Sequence, residues 1–212
     1  MDGPSSDIAF TPAVKAIQAT RGSRAAYAKL EARGGFRTAI DADLARFLET
    51  IDTAYLATAT AAGQPYAQHR GGPKGFIRVL GPQTLGWTDY VGNRQYVSTG
   101  NLAENDRAFL FLMDYAQRRR IKLWGRARTS ADPALIAALA PAGARAQGEQ
   151  ALLFEVEAWD VNCPKHIPQK IDAADVAAAL AQRDARIAAL EAEVAALRGG
   201  AGRAAGQETG AR

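Results

Sequence analysis

The sequence predicts an α+β protein that is mainly β, and three observations carry that expectation. Helical patterns occupy the first fifty residues, the next hundred read as short, closely spaced strands, and from Ile171 the chain turns alanine-rich with heptad spacing. Strands so close together, most of them separated by turns, favour an antiparallel sheet or small barrel with peripheral helices over βαβ units.

In order along the chain, residues 1–11, with Gly3, Pro4, Ser5 and Ser6, read as a frayed terminus. Helices are predicted over residues 12–20 and 23–33, closed by Gly22 and by Gly34 with Gly35. A stronger helix over residues 41–51 sets Leu44, Phe47, Leu48 and Ile51 on one face, with Asp41 or Asp43 as its N-cap. Residues 53–60, 65–72, 76–80, 84–90, 107–115 and 119–129 are rich in aromatic and β-branched side chains and predict strands. Gly63-Gln64, Gly72-Pro73 and Gly81-Pro82 supply turns between some of them. Residues 91–102 lose alternation and read as a turn leading into a short helix; a further helix over 133–139 and a last strand over 151–161 follow.

Beyond Ile171, placing Leu180, Ile187 and Val194 at heptad position a puts Val176, Arg183, Leu190 and Leu197 at d. Arg186 with Glu191, and Glu193 with Arg198, then form the g-to-e′ couples of a parallel two-stranded coil, each of opposite sign. A homodimeric coiled coil and an amphipathic helix packed on its own domain both fit three heptads. From Gly199 onward the Gly- and Ala-rich residues read as a disordered tail.

Composition narrows the function. The 212 residues are 48% hydrophobic and 23% charged, which suits one domain with appendages. Neither a membrane span nor a secretory signal is evident, so a cytoplasmic protein is expected. A single cysteine, Cys163, excludes an intramolecular disulfide and a cysteine-rich zinc site, and two distant histidines nominate no metal site. Cys163 itself reads as a partly buried, unreactive thiol. The net charge of +4 leaves phosphate ligands and nucleic acid both open. Arg118-Arg119-Arg120 could touch nucleic acid, but no helix-turn-helix, OB-fold spacing or stacking platform accompanies it, so no nucleic-acid partner is expected.

The most informative stretch is Q-H-R-G-G-P-K-G-F-I-R-V-L from Gln68 to Leu80, followed by T-L-G-W-T-D-Y from Thr84 and G-N-R-Q-Y from Gly92. It joins a cation-bearing strand to another that ends in a glycine turn and a helix start. A phosphate dianion uses that combination, through free N–H groups at a helix N-terminus and a guanidinium such as Arg94. Trp87 and Trp124 fall in strand patterns and read as core or interface residues.

Together with G-N-L-A-E-N, L-M-D-Y-A-Q-R-R-R-I-K-L-W-G-R-A-R and C-P-K-H-I-P-Q, these segments resemble the FMN-binding split barrels related to pyridoxamine 5′-phosphate oxidase, in particular bacterial predicted flavin-nucleotide-binding proteins. The resemblance covers about residues 36–170. It implies a six-stranded Greek-key split β-barrel, assembled as a homodimer with FMN in clefts at the subunit interface. The domain expectation is then a helical extension over 1–35, the FMN-binding barrel over 36–170, the amphipathic or coiled-coil helix over 171–198 and the tail over 199–212.

The family pattern implies a flavin along the strand of Gln68, His69 and Arg70, near Thr88 and Asp89. It implies a phosphate at Asn93, Arg94 and Gln95, with Arg70 as a second cation. Arg119 and Lys122 are the candidates through which a partner subunit reaches the flavin ring, although strand alternation prevents Arg118, Arg120 and Lys122 from facing the same way as Arg119. No catalytic acid, base or nucleophile is nominated, and flavin chemistry requires none from the protein. C-P-K-H-I-P-Q and then the heptads stand where true pyridoxamine phosphate oxidases carry basic and aromatic groups, so vitamin B6 oxidation is not implied. The resemblance points to an FMN-dependent oxidoreductase acting on a small organic molecule; a flavin-binding or storage protein, and an interaction protein using the coil, are the alternatives. The sequence does not decide between FMN and a deazaflavin or haem in its place.

Overall fold

A computed structural model of the chain describes residues 3–141, 148–161 and 163–208, with side chains to residue 198. It comprises two compact units, Met1–Pro168 and Gln169–Arg212.

The first unit begins with a 3-10 turn at Ser5–Ile8 and continues through α1 (Pro12–Thr20), α2 (Arg24–Glu31), α3 (Ala42–Thr50), β1 (Thr53–Ala59), β2 (Pro65–Gly71), β3 (Arg78–Val79), β4 (Thr84–Tyr90), α4 (Val97–Glu104), β5 (Arg107–Asp114), β6 (Arg119–Ser130), α5 (Pro133–Leu139) and β7 (Gly148–Val161). This is the mainly antiparallel α+β class that the sequence predicts. The strand count differs from the six implied by resemblance: seven strands form one open sheet in the order β2-β1-β5-β6-β7-β4-β3. The seventh, β3, is only a two-residue edge. Phe76 and Ile77, which the sequence assigns to a strand, are buried in the core instead, leaving Arg78 and Val79 to pair with Gly86 and Leu85.

Residues 3–11 are also more ordered than the composition suggests, while residues 1 and 2 of the expected frayed terminus lie outside the described residues. Ser5 donates its backbone N–H to the Gly34 carbonyl at 3.0 Å and its hydroxyl to the Phe36 carbonyl at 2.5 Å, while Ser6 is fully buried. Gly35 permits this approach: its φ is +92°, and a Cβ there would stand 2.6 Å from the Ser6 nitrogen.

Helix α3 has the predicted cap, with the Asp41 carboxylate accepting from the Asp43 and Leu44 N–H groups at 3.0 Å each. Its Leu44, Phe47 and Leu48 are buried in a core shared with Leu56, Leu85, Trp87, Leu110, Leu112, Ile121, Leu123, Phe154 and Trp159. Burial of so many large apolar side chains is the main stabilising contribution to this unit.

Register then decides which side chains share a face. Tyr55 opposes His69 on one side and Phe111 on the other, and Phe111 opposes Lys122. Leu56, one residue on, opposes Gln68 and Leu110. Gln68 and Arg70 therefore lie on the core-facing side of β2, and His69 on the reverse. A bulge between Trp124 and Gly125 shifts the β6–β7 register. Only glycine fits there, because a Cβ at position 125 would lie 1.9 Å from the Glu155 carbonyl oxygen.

The second unit contains one helix, α6 (Ala173–Glu208). It runs past Gly199, where the sequence reading places a disordered tail; residues 209–212 of that tail lie outside the described residues. Its residues from 173 to 198 are exposed, including Val176, Leu180, Ile187, Leu190, Val194 and Leu197. Among the described residues no helix is long and apolar enough to cross a membrane.

Candidate functional site

A cleft of about 260 Å³ opens where β2, β4 and the start of α4 meet the beginning of β7. Gln68, Arg70, Asp89, Asn93, Arg94 and Gln150 are among its lining residues. The sheet order explains the meeting only in part, because β2 and β4 are separated by four strands and approach through curvature of the sheet.

Inside the cleft the polar groups form a chain. Arg70 donates to the Asp89 carboxylate at 2.5 Å and to the Gln68 side-chain carbonyl at 3.0 Å. Gln68 also accepts from the Ser98 hydroxyl at 2.7 Å. Gln150 donates to the second Asp89 oxygen and to the Thr99 hydroxyl, both at 3.0 Å. The Arg70–Asp89 pair is nearly buried, with side-chain exposures of 11% and 13%, and the Arg70 Nε is buried without a partner. These bonds hold the first turn of α4 against β2, β4 and β7.

The loop that enters α4 has an unusual backbone. Arg94 and Tyr96 adopt positive φ angles of 59° and 53°, a conformation that non-glycine residues seldom take. The Asn93 side chain stabilises the turn by accepting the Gln95 N–H at 3.2 Å. Tyr96 occupies the N-cap of α4, yet no side chain caps the helix, so its first N–H groups keep their donor capacity. Tyr96 donates its hydroxyl to the Glu149 carboxylate at 2.6 Å. That bond, then desolvation and the carboxylate charge, raise the phenol pKa above its ordinary value, against a smaller lowering effect of the Arg94 charge. Arg94 itself is exposed and has no hydrogen bond or ion pair among the described residues. The cleft thus offers one uncommitted guanidinium beside an uncapped helix start, suited to an anion with several oxygens.

A family model described as pyridoxamine 5′-phosphate oxidase matches residues 40–163, more than half of the chain. The chain belongs to the pyridoxamine 5′-phosphate oxidase family. No curated protein sequence matches it. Among solved structures, it is similar to HupZ of Group A Streptococcus, at 16% identity over 62% of this chain and 99% of that one, with a TM-score of 0.48. An FMN-binding protein from Syntrophomonas wolfei aligns at 9% identity over 68% and 97% of the two chains, with a TM-score of 0.45. The FAD-binding protein of Mycobacterium smegmatis aligns at 15% identity over 59% and 97%, with a TM-score of 0.40.

Of the positions nominated from the family pattern, Gln68, Arg70, Asp89, Asn93 and Arg94 line one cleft in this family member. Gln95 contributes its backbone to the turn but does not line the cleft. Thr88 is buried, and its hydroxyl donates to the Ile136 carbonyl at 2.9 Å, which makes it a packing residue. His69 faces away from Gln68 and Arg70 and packs edge-on to Tyr55 at 5.7 Å between ring centroids. Arg119 and Lys122 also stand apart from the cleft. Arg119 bonds Asp43 at 2.7 Å and lies over the Phe47 ring, whereas Lys122 pairs with Asp160 at 3.0 Å and lies over Trp124 and Phe36. The two cations occupy opposite faces of β6, as alternation requires.

The cleft residues Tyr96, Ser98, Thr99, Glu149 and Gln150 were not anticipated. Ser98-Thr99 at the predicted helix start was a readable signal. Gln150 was not, since its position depends on its pairing opposite Asp89. Trp87 is core, and Trp124 stacks on Phe36 at 5.2 Å. Cys163 is exposed, contrary to the partly buried position expected for it.

Proposed function

We propose that this protein binds FMN as a homodimer and serves as an oxidoreductase, moving hydride or electrons between the bound flavin and a small organic molecule. The observation that carries the proposal is the uncapped start of α4 beside Arg94, which has no hydrogen bond or ion pair among the described residues, a donor set suited to the FMN phosphate. Membership of the pyridoxamine 5′-phosphate oxidase family supports the same reading. Arg70 is committed to Asp89 in this structure, so its part is to position the cleft wall while Arg94 supplies the charge.

In this reading a second copy completes the cleft of about 260 Å³. The reverse sheet face suits that copy at its β1 end, where Tyr55 is exposed beside half-buried Phe111, while Trp124 farther along is covered by Phe36 of the same chain. His69 and Lys122 stand on this face, where they would meet a flavin held by the other subunit. Bound FMN would supply reversible two-electron chemistry, and the chain's cations and N–H donors would tune it by stabilising negative charge on the reduced ring. The single cysteine is consistent with a cytoplasmic site of action.

The test is the absorbance spectrum of the purified protein, followed by anaerobic addition of NADH or NADPH to the flavin-loaded form. Flavin bands that bleach and recover with an acceptor support the oxidoreductase. Bands that never bleach with any donor would reduce the proposal to a flavin-binding protein, and failure to take up FMN would overturn it.

A further inference from the structure

We propose that α6 forms a parallel, in-register, two-stranded coiled coil with the same helix of a second copy of this chain, an inference that goes beyond flavin binding. Four observations on the helix itself support this occupant. First, Val176, Leu180, Ile187, Leu190, Val194 and Leu197 fall at spacings of three and four, broken by one step of seven across Arg183, and each remains exposed. That 3.5-residue period is the seam of a left-handed coil rather than the broader stripe of a helix laid on a globular core.

Second, the residue types favour two parallel strands. Over the last two heptads position a holds β-branched Ile187 and Val194 and position d holds Leu190 and Leu197, the combination that best suits a parallel dimer, whereas Leu180 at a and Val176 at d reverse it in the earlier part. Third, the flanking charges are complementary in that arrangement. Arg186 at g faces Glu191 at e of the other helix, and Glu193 faces Arg198, so each couple occurs twice by symmetry. Fourth, the flaw in the seam has its own answer. Arg183 occupies a d position, and in a parallel pair the neighbouring e position of the other helix is Asp184, a carboxylate within reach of a snorkelling guanidinium. An arginine there costs stability and fixes register, because a slip by one heptad would remove that counter-charge from one end of each pair and bury the guanidinium against apolar residues. Three heptads are marginal alone, so the pair gains from any other contact that keeps two chains together.

The test uses the full-length chain with Cys163→Ser as background and one new cysteine at a time, Leu180→Cys or Val194→Cys. Under mild oxidation, both variants are expected to shift from the monomer to the dimer band on non-reducing gels. Adding Ile187→Asp should abolish most of that shift in each. An antiparallel pair sets a opposite d′ and would cross-link neither variant efficiently, and a helix without a second copy would cross-link in neither case; both results would overturn the proposal. Replacement of Arg183 by Leu gives a second readout, because it should raise the thermal midpoint of the helical signal in a coil. No change in that midpoint would contradict the placement of Arg183 in the seam. Neither experiment depends on flavin, so the outcome is separable from that of the FMN titration.

Discussion

Arg94 is the residue on which the cofactor reading turns. Its φ of 59° places it in the left-handed region, next to a helix start without a side-chain cap, and no acidic partner among the described residues engages it. Holding an arginine in that conformation costs stability, which a merely solvated side chain would not require. Arg94→Ala is expected to weaken FMN binding by about 2–4 kcal/mol, read by fluorescence titration, and to leave riboflavin binding nearly unchanged. Equal loss for both ligands would instead indicate a damaged fold. The G-N-R-Q segment was legible because it combines a turn signal with a guanidinium at a helix start. His69 shows the limit of such reading: it sits between Gln68 and Arg70 in sequence, yet the two-residue period of β2 turns it to the other face. Cys163 was misjudged for a similar reason, since exposure depends on what packs around a residue and composition does not record that.

At the scale of elements, the contact between α3 and β6 has a pH signature. Burial works to raise the Asp43 pKa, but the bonds and charges of Arg119 and Arg37 outweigh it and hold the carboxyl below its ordinary range. A carboxylate depressed in the folded state stabilises above its unfolded pKa, about 3.9, and that contribution is lost as pH falls through the folded value. Thermal midpoints measured from pH 7 down to pH 3 should therefore show Asp43→Asn below the wild type at neutral pH and converging with it in acid. Parallel curves across the range would remove this pair from the stability of the fold. Most elements were readable from alternation and caps, including Asp41 and the long strands. The predicted strand over residues 76–80 was not, because an apolar pair such as Phe76-Ile77 looks the same in a strand as in a turn plugged into the core. Nor was the order of Ser5, which rests on bonds to Gly34 and Phe36 about thirty positions away.

For the whole molecule, the sequence motifs led to the right family and class, whereas the strand order that brings β2, β4 and α4 around one cleft is a long-range property. Local patterns predict strands well and say little about which strands become neighbours. The proposed assembly places a phosphate anchor in each copy and leaves the flavin ring to be enclosed by the apolar sheet face of the other. The central claim is the phosphate anchor, and the most direct measurement compares FMN with riboflavin, which differ only by the phosphate, in titrations of cofactor-free protein. Saturable FMN binding near one per chain, with riboflavin weaker by at least about tenfold, is the expected result. Equal affinities, or no binding of either, would contradict a phosphate held at Arg94 and the start of α4.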